Sequence, residues 1–426
     1  MMKSLYIIMS VLWVCMGLHA QTGDSATHAS SKSRLAVGGY GEAVAQRMFY
    51  SDNPARYAYP ESNRNASHGR FDLPHVVVYM SYDFGKGWKF SSEIEFEHGG
   101  AGNTYEIEMD EAGEYEIELE KGGEVALEQF WIEKTFSPQA RLRMGHIIVP
   151  VGLTNQYHMP TEFFSVLRPE EESEILPCTW HQTGVSFWGR AGDWRYEALF
   201  IAGLDAERFN NANWIKKGAT SPYEFDIANR YGGAFRADNY SVKGLRIALS
   251  GYYGHSAANS LKWDRYTNQN IKGAVSIGAF DATYDDHNIL ARANVLYGHL
   301  SDAYAISTVN KKLPSAGPSP RTDVASDALS YYAEVGYDIL SLFTAAGNSK
   351  LYVYGHCGFY DSMYRTAGNI KPKGWSNKTV ISGGVNYFPL KEIAVKAEYA
   401  FRKFSAPYNN EPALSAGIVY SGMFLK

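Results

Sequence analysis

Acidic side chains occupy every second position in one segment of the chain. Glu93, Glu95 and Glu97 alternate there with Ile94 and Phe96. Because successive side chains of a β-strand point to opposite faces, this spacing predicts a strand with one acidic face and one apolar face. A charged face of this kind attracts or orients charged solutes, provided that water reaches it.

Basic residues recur on the polar faces of other predicted strands. Arg195, Arg236 and Arg246 lie on three consecutive segments and could form a basic arc opposite the acidic face. The transverse field between the two faces would orient dipolar solutes without selecting anions. The basic residues that we expect to line the interior are Arg143, Arg195, Arg236, Arg246, Arg292, Lys396 and Arg402, with Arg168 at a constriction formed by a long connection.

A second interpretation of the same charges remains open. The basic residues could pair with Glu197, Glu334 and Glu398, which lie on the same predicted faces. In that arrangement the charges keep the interior hydrated but select nothing.

An unusually acidic segment runs from Tyr105 to Glu128, where Lys121 is the only basic residue. The repeats around Ile107 and Ile117 predict the two arms of a hairpin, with like charges crowded on one face. We hypothesise that this hairpin binds divalent cations and bridges to lipopolysaccharide phosphates; the alternative is a solvated acidic projection that repels anions. The four hairpin glutamates are Glu106, Glu108, Glu116 and Glu118.

Motifs that would indicate catalysis are absent. The chain contains no His-Glu-x-x-His helix, no Gly-x-Ser-x-Gly elbow, no phosphate loop and no Cys-x-x-Cys pair. Lys and Arg total 40 against 45 for Asp and Glu, which argues against a nucleic-acid partner held by phosphate contacts. We therefore expect no enzyme and no cofactor. The 14% of aromatic residues and the 40 glycines favour strands and turns over helices.

The beginning of the chain has the pattern of a secretory signal. Lys3 precedes an apolar stretch from Leu5 to Leu18, and Ala20 is a plausible cleavage point. We predict a signal peptide over residues 1–20, an N-terminal segment over 21–33 and one folded unit over 34–426. The secreted part would contain only Cys178 and Cys357, which could pair in an oxidising compartment or remain isolated.

About sixteen segments show the two-residue alternation, and short turns between them alternate with long connections. A membrane barrel has this asymmetry, because its periplasmic turns are short and its extracellular loops are long. An even number of strands then places both termini in the periplasm. The predicted strands are 34–47, 70–82, 88–98, 124–135, 140–150, 181–190, 193–202, 230–238, 242–254, 273–284, 288–300, 329–340, 349–360, 377–387, 392–403 and 413–424.

The predicted fold class is an all-β, 16-stranded antiparallel transmembrane β-barrel. A strand in hydrocarbon must pair all its backbone polar groups, so the sheet has to close on itself. A barrel of this size is too wide for the side chains of its strands to fill, and we expect a water-filled lumen. The apolar strand faces would then contact lipid.

The connection at residues 151–180 is too apolar and too rich in proline to extend into solvent, and we expect it to fold into the lumen. Here the chain resembles the phosphate-selective porin O and P family, particularly its Bacteroidetes members. The matching motifs are the opening at Gly38 to Glu42, the passage from Arg143 to Gly152, Arg168-Pro169, Pro177 and Thr179-Trp180. The resemblance covers nearly all of the secreted chain and implies a sixteen-stranded, commonly trimeric outer-membrane porin with an infolded third loop.

Phosphate-selective members of that family line their channels with many basic residues, and this chain offers fewer. We therefore expect passive diffusion of small hydrophilic solutes and ions through the bacterial outer membrane, with general or weak selectivity. Anion or phosphate preference and specific uptake of a sugar or peptide remain alternatives. The competing functions are an adhesin or structural barrel that binds through its long loops, and a barrel-borne hydrolase.

Overall fold

The computed structural model describes residues 34–52, 56–57, 67–99, 124–220, 225–260, 264–313, 321–343, 348–405 and 407–425, together with the backbone of 106–108 and 116–118. The predicted signal peptide and N-terminal segment lie outside the described residues. Every strand of the main sheet is antiparallel to its neighbours, and β1 pairs with the last strand, β19, from Val37↔Leu425 to Met48↔Ala413. The sheet is therefore closed into a barrel.

The strands are β1 (Leu35–Met48), β2 (His68–Asp72), β3 (His75–Gly85), β4 (Trp88–Glu97), β5 (Glu106–Glu108), β6 (Glu116–Glu118), β7 (Val125–Ser137), β8 (Ala140–Ile148), β9 (His181–Ala191), β10 (Trp194–Ala202), β11 (Tyr231–Val242), β12 (Leu245–His255), β13 (Ala274–Asp286), β14 (Ile289–Leu300), β15 (Asp327–Asp338), β16 (Lys350–Arg365), β17 (Asn377–Leu390), β18 (Ile393–Phe404) and β19 (Glu411–Leu425).

The barrel has sixteen strand positions, as predicted, because β2 and β3 occupy one position. Both pair with β1, at Val44↔Asp72 and Gly41↔Val76, and the interruption falls at Leu73-Pro74. Proline has no backbone N–H to donate to a neighbouring strand, which explains a break at this point. The short strands β5 and β6 form a separate hairpin.

The outer surface of the barrel is apolar and the inner surface is polar. On β12, Ile247 and Leu249 are exposed, while Arg246 and Ser250 are buried. On β8 the side chain of Met144 is 55% exposed, and that of Arg143 is 2% exposed. A soluble protein shows the opposite arrangement, so the predicted alternation, with the apolar side chains on the outer surface, is confirmed.

Short turns gather at one end of the barrel, but three of them lie slightly later in the chain than predicted. The turn after β11 was expected at Asn239 to Ser241, yet pairing continues to Val242↔Leu245. Gly244 adopts a φ of +75°, which most side chains disfavour, and so the chain turns there. The strands β13 and β17 likewise extend to Asp286 and Leu390 before turning.

Helices are short and lie in the connections: α1 (Glu170–Ser173), α2 (Asp264–Thr267) and α3 (Ala303–Asn310). In the described part of the chain, no helix is long and apolar enough to cross a bilayer.

Folded connections pack against the inner wall of the barrel. One buried apolar cluster combines residues of the long connections with residues of the strands. Its members from the connections include Phe209, Trp214 and Tyr266. Trp214 lies against Gly298 of β14 and donates its indole N–H to the carbonyl oxygen of Ala325 at 3.1 Å. These connections therefore occupy part of the interior that was expected to hold water.

Candidate functional site

The lumen loop, residues 149–180 between β8 and β9, lies against the inner wall of the barrel. The ammonium group of Lys396 on β18 donates to the carbonyl oxygens of Phe163 at 2.7 Å and Ser165 at 2.9 Å. Asn386 of β17 donates to the carbonyl oxygen of Phe164 at 2.9 Å. Lys396 and Asn386 thus anchor the middle of the loop to two neighbouring strands.

A buried carboxyl group organises the first part of the lumen loop. Glu172 accepts hydrogen bonds from the backbone N–H groups of Leu153, Thr154 and Asn155, at 2.9, 3.2 and 2.8 Å, and from the amide of Asn294 on β14. Burial raises the pKa of Glu172 to about 7, even though the three N–H donors act to lower it. The loop therefore contains a group that titrates near neutral pH.

The predicted basic arc lies on the inner wall, and its members are paired with acidic residues. Arg236 donates to Asp238 at 2.9 Å, to Asp281 at 3.0 Å and to the carbonyl oxygen of Gly152 at 2.8 Å. Arg246 contacts the same two carboxylates at 3.0 and 2.7 Å. This network fixes the lumen loop to β11, β12 and β13.

Arg195 and Arg143 form a second network beside the first. Arg195 pairs with Glu197 at 2.6 Å and with Asp238 at 3.3 Å. Arg143 pairs with Glu133 at 3.1 Å and lies 3.8 Å from Glu197. Each of these basic groups is therefore already neutralised by carboxylates on the wall.

The last two basic wall residues also have acidic partners. Arg292 pairs with Glu334 at 2.5 Å, and Arg402 pairs with Glu170 of α1 at 2.6 Å. Glu398, in contrast, accepts hydrogen bonds from neutral hydroxyl groups, those of Tyr354 at 2.7 Å and Ser382 at 3.2 Å. Of the three acidic residues expected as partners, Glu197 and Glu334 pair with arginine, and Glu398 forms no ion pair with the residues that the structure describes. The role of the wall residues in permeation stays a prediction.

Arg168 differs from the other basic residues in its hydrogen bonding. One terminal nitrogen donates to the Thr179 hydroxyl at 3.3 Å and lies 3.9 Å from the Cys178 sulfur. Its Nε and Nη2 atoms have no hydrogen-bond partner among the described residues. Whether Arg168 forms the constriction stays a prediction. Both Cys178 and Cys357 are free thiols.

A cluster of carboxylates and histidines, which the sequence did not predict, lies where the lumen loop meets β4 and β7. Glu93, Glu128 and His158 bring one ligand atom each to within 4.8 Å of one another, and His75, Glu95 and Glu97 form a second such group. The alternation of Glu93 and Glu95 was visible in the sequence. The proximity of Glu128 to Glu93 was not, because a β-bulge sets the register of the two strands there.

The bulge lies between β4 and β7. Glu93 pairs with Gln129 and Ile94 pairs with Leu127, so Glu128 has no partner position on β4. A bulge of this kind turns an extra side chain toward one face. Glu128 and Gln129 are both buried, although a strict two-residue alternation places them on opposite faces.

The predicted acidic hairpin is present in the backbone, where β5 pairs with β6 from Glu106↔Glu118 to Glu108↔Glu116. The side chains of the four hairpin glutamates and the expected turn at residues 110–113 lie outside the described residues. Cation binding by the hairpin stays a prediction.

Comparison with known proteins supports the fold more than a particular family. No protein-family model matches the chain, so membership of the phosphate-selective porin O and P family stays a resemblance. The chain is 27% identical over 396 residues to an uncharacterized protein of Aquifex aeolicus, an alignment that covers 89% of this chain and 78% of that protein.

Three solved structures have the same fold. The outer membrane channel DcaP of Acinetobacter baumannii aligns with a TM-score of 0.52 at 10% identity, over 93% of this chain and 100% of that one. OmpF of Salmonella typhi aligns with a TM-score of 0.52 at 11% identity, over 91% and 97%. An anion-selective porin from Comamonas acidovorans aligns with a TM-score of 0.50 at 11% identity, over 91% and 99%. The chain therefore has the fold of outer-membrane porins.

Proposed function

We propose that this protein is an outer-membrane channel through which small hydrophilic solutes and ions diffuse passively. The observation that carries the proposal is the closed barrel with an apolar outer face and a charged inner face, crossed by an anchored lumen loop. An apolar exterior requires lipid, and a charged interior is stable only beside water or compensating charges. The similarity to DcaP and OmpF supports the fold on which the proposal rests.

The proposed channel is narrow and weakly selective. Six arginines of the wall are bound to carboxylates, and Lys396 is bound to loop carbonyls, so these residues do not form a series of free cations for phosphate. Among the predicted lining residues, Arg168 differs because its Nε and Nη2 atoms have no hydrogen-bond partner in the described part of the chain. We therefore assign the control of ion preference to Arg168.

Single-channel recording in planar bilayers tests the proposal. Purified, folded protein is expected to give small, discrete conductance steps, because the loops occupy much of the lumen. Replacing Arg168 with Glu should shift the reversal potential in a salt gradient toward cation preference. The control Arg168→Lys keeps the positive charge and should retain the wild-type reversal potential. Folded protein that gives no channels would defeat the proposal.

The packed loop cluster around Trp214 favours a second candidate, a structural barrel or adhesin that binds through its loops. Such a barrel would bind a surface partner through its long connections while conducting no ions. The same bilayer recording separates the two functions, since only the channel gives conductance steps.

Location and assembly follow from the proposed function. We propose that the barrel lies in the bacterial outer membrane, with both termini in the periplasm, and that it contacts lipid and lipopolysaccharide and forms a homotrimer. Native mass spectrometry of the protein in detergent tests the trimer, and protease accessibility in intact cells tests the orientation of the long connections.

A further inference from the structure

Three side chains from three separate elements converge inside the barrel. Glu93 lies on β4, Glu128 on β7 and His158 in the lumen loop. The Nε2 atom of His158 lies 3.8 Å from Oε1 of Glu93, and one ligand atom from each of the three residues lies within 4.8 Å of the others. The residues are 2%, 0% and 4% exposed, respectively.

Each of the three side chains has one potential ligand atom that forms no hydrogen bond with the described residues. The Nδ1 atom of His158 lies 3.1 Å from the carbonyl oxygen of Asn155, a contact that requires a proton on Nδ1, so in the neutral ring the lone pair is on Nε2. Gln129 donates to Oε2 of Glu93, so Oε1 remains free. Oε1 of Glu93, Oε1 of Glu128 and Nε2 of His158 have no hydrogen-bond partner in the described part of the chain.

Two buried carboxylates side by side require compensation. Removing an unpaired carboxylate from water costs several kcal/mol, and the repulsion between two of them adds to that cost. Arg168 lies near enough to influence this cluster, but its side chain makes its hydrogen bonds elsewhere, to Thr179 and Cys178. A doubly charged cation among the three free atoms would neutralise both carboxylates.

We propose that Glu93, Glu128 and His158 form a binding site for a divalent transition-metal ion, with Zn²⁺ as the best-suited ion. Zinc accepts imidazole nitrogen together with carboxylate oxygen, whereas Ca²⁺ and Mg²⁺ prefer oxygen ligands alone. Three protein ligands leave a fourth position for water. The bound ion would join the lumen loop to β4 and β7, which lie four and five strand positions around the barrel from β18, the strand of the Lys396 anchor.

The bulge at Glu128 supports this assignment. Leu127 and Phe130 are exposed on either side of the bulge, so two consecutive residues, Glu128 and Gln129, lie on the inner face. The bulge thereby brings Glu128 beside Glu93 and His158 and lets Gln129 donate to Glu93 from the same face. Bulges that redirect one side chain recur beside functional sites.

Calorimetric titration of ZnCl₂ into EDTA-treated, folded protein in detergent tests the proposal. The buffer contains Ca²⁺ to occupy oxygen-only sites such as the acidic hairpin. We expect one Zn²⁺ per chain. Each of the variants Glu93→Gln, Glu128→Gln and His158→Gln should weaken binding at least tenfold. The control His299→Gln removes a half-exposed histidine elsewhere and should bind as the wild type does.

A second readout does not depend on heat. Co²⁺ in place of Zn²⁺ should give visible absorption bands in the wild type and lose them in Glu93→Gln, an isosteric change that relieves repulsion and preserves the fold. The proposal is overturned if the wild type binds no Zn²⁺, since His158 then serves as a protonated partner of Glu93. It is also overturned if the three variants bind as tightly as the wild type, or if His75→Gln alone abolishes binding.

Discussion

The anchor formed by Lys396 gives a quantitative prediction for the lumen loop. Its ammonium group is 1% exposed and donates to the carbonyl oxygens of Phe163 and Ser165. A hydrogen bond from a charged donor contributes about 1.5–3 kcal/mol, so the two bonds together contribute about 3–6 kcal/mol. Burial of the ammonium offsets part of this gain. The change Lys396→Met should therefore lower the free energy of unfolding by about 2–4 kcal/mol.

The assay combines stability with conductance. Urea unfolding in detergent, followed by tryptophan fluorescence, measures the change in free energy. Because the barrel strands keep their pairing, Lys396→Met should still form channels, but with greater current noise as residues 163–165 move. Lys243→Met is the matched control, since the side chain of Lys243 is 90% exposed in a turn at the end of the barrel. It should leave both measurements unchanged.

Unchanged stability in Lys396→Met would refute the argument that the two carbonyl contacts hold the loop. Lower stability with unchanged current noise would show instead that the anchor supports the barrel but that this part of the loop lies away from the ion path. The two measurements therefore separate the structural claim from the proposed channel.

Three further predictions concern other charged groups. Arg236→Met should lower the free energy of unfolding in urea by about 3–5 kcal/mol, because it leaves buried aspartates unpaired. Adding Asp281→Asn should restore part of this loss. Equal stability of the single and double variants would contradict the pairing. The pKa of Glu172 is raised to about 7 in the folded protein from an ordinary value of 4.5. Between these two pH values the folded form therefore binds more protons than the unfolded form. The free energy of unfolding should fall by up to about 3 kcal/mol as the pH rises through this window. Glu172→Gln should reduce that pH dependence, and an identical pH profile would exclude Glu172 as its source. Changing all four hairpin glutamates to Gln should abolish the heat of calcium binding, whereas heat equal to that of the wild type would mean that the hairpin holds no site.

The outward-facing side chains of the strands could be predicted from the sequence because the same requirement, an apolar side chain, applies to all of them. Every second residue of a strand lies on the outer surface, and residues such as Ile247, Leu249 and Met144 are apolar there, so the two-residue pattern is visible. The number of strands and the alternation of short and long connections follow from that pattern. The ends of the strands were less predictable, because pairing with a neighbour extends β16 to Arg365 and β11 to Val242.

The inward-facing side chains could be predicted only in part, because they interact with residues that are distant in the sequence. The sequence indicated that Arg236 faces inward, but not that Asp281 and Gly152 would receive its hydrogen bonds. The bulge that places both Glu128 and Gln129 inward breaks the two-residue pattern and cannot be derived from it. His158 was visible within the lumen loop, but its alignment with Glu93 requires the path of that loop.

The attachments of the lumen loop restrict where a solute can pass. The loop is held at Gly152 by Arg236 and at residues 163–165 by Lys396 and Asn386, on different sides of the wall. If a metal ion also joins His158 to β4 and β7, the first half of the loop is fixed at three points. The second half of the loop is also held, at Glu170 by Arg402, and we propose that Arg168 borders the path beside this contact. Substitution of Arg168 should then change ion preference more than substitutions at the anchors. A larger change in ion preference from Lys396→Met than from Arg168→Glu would contradict this placement of the path.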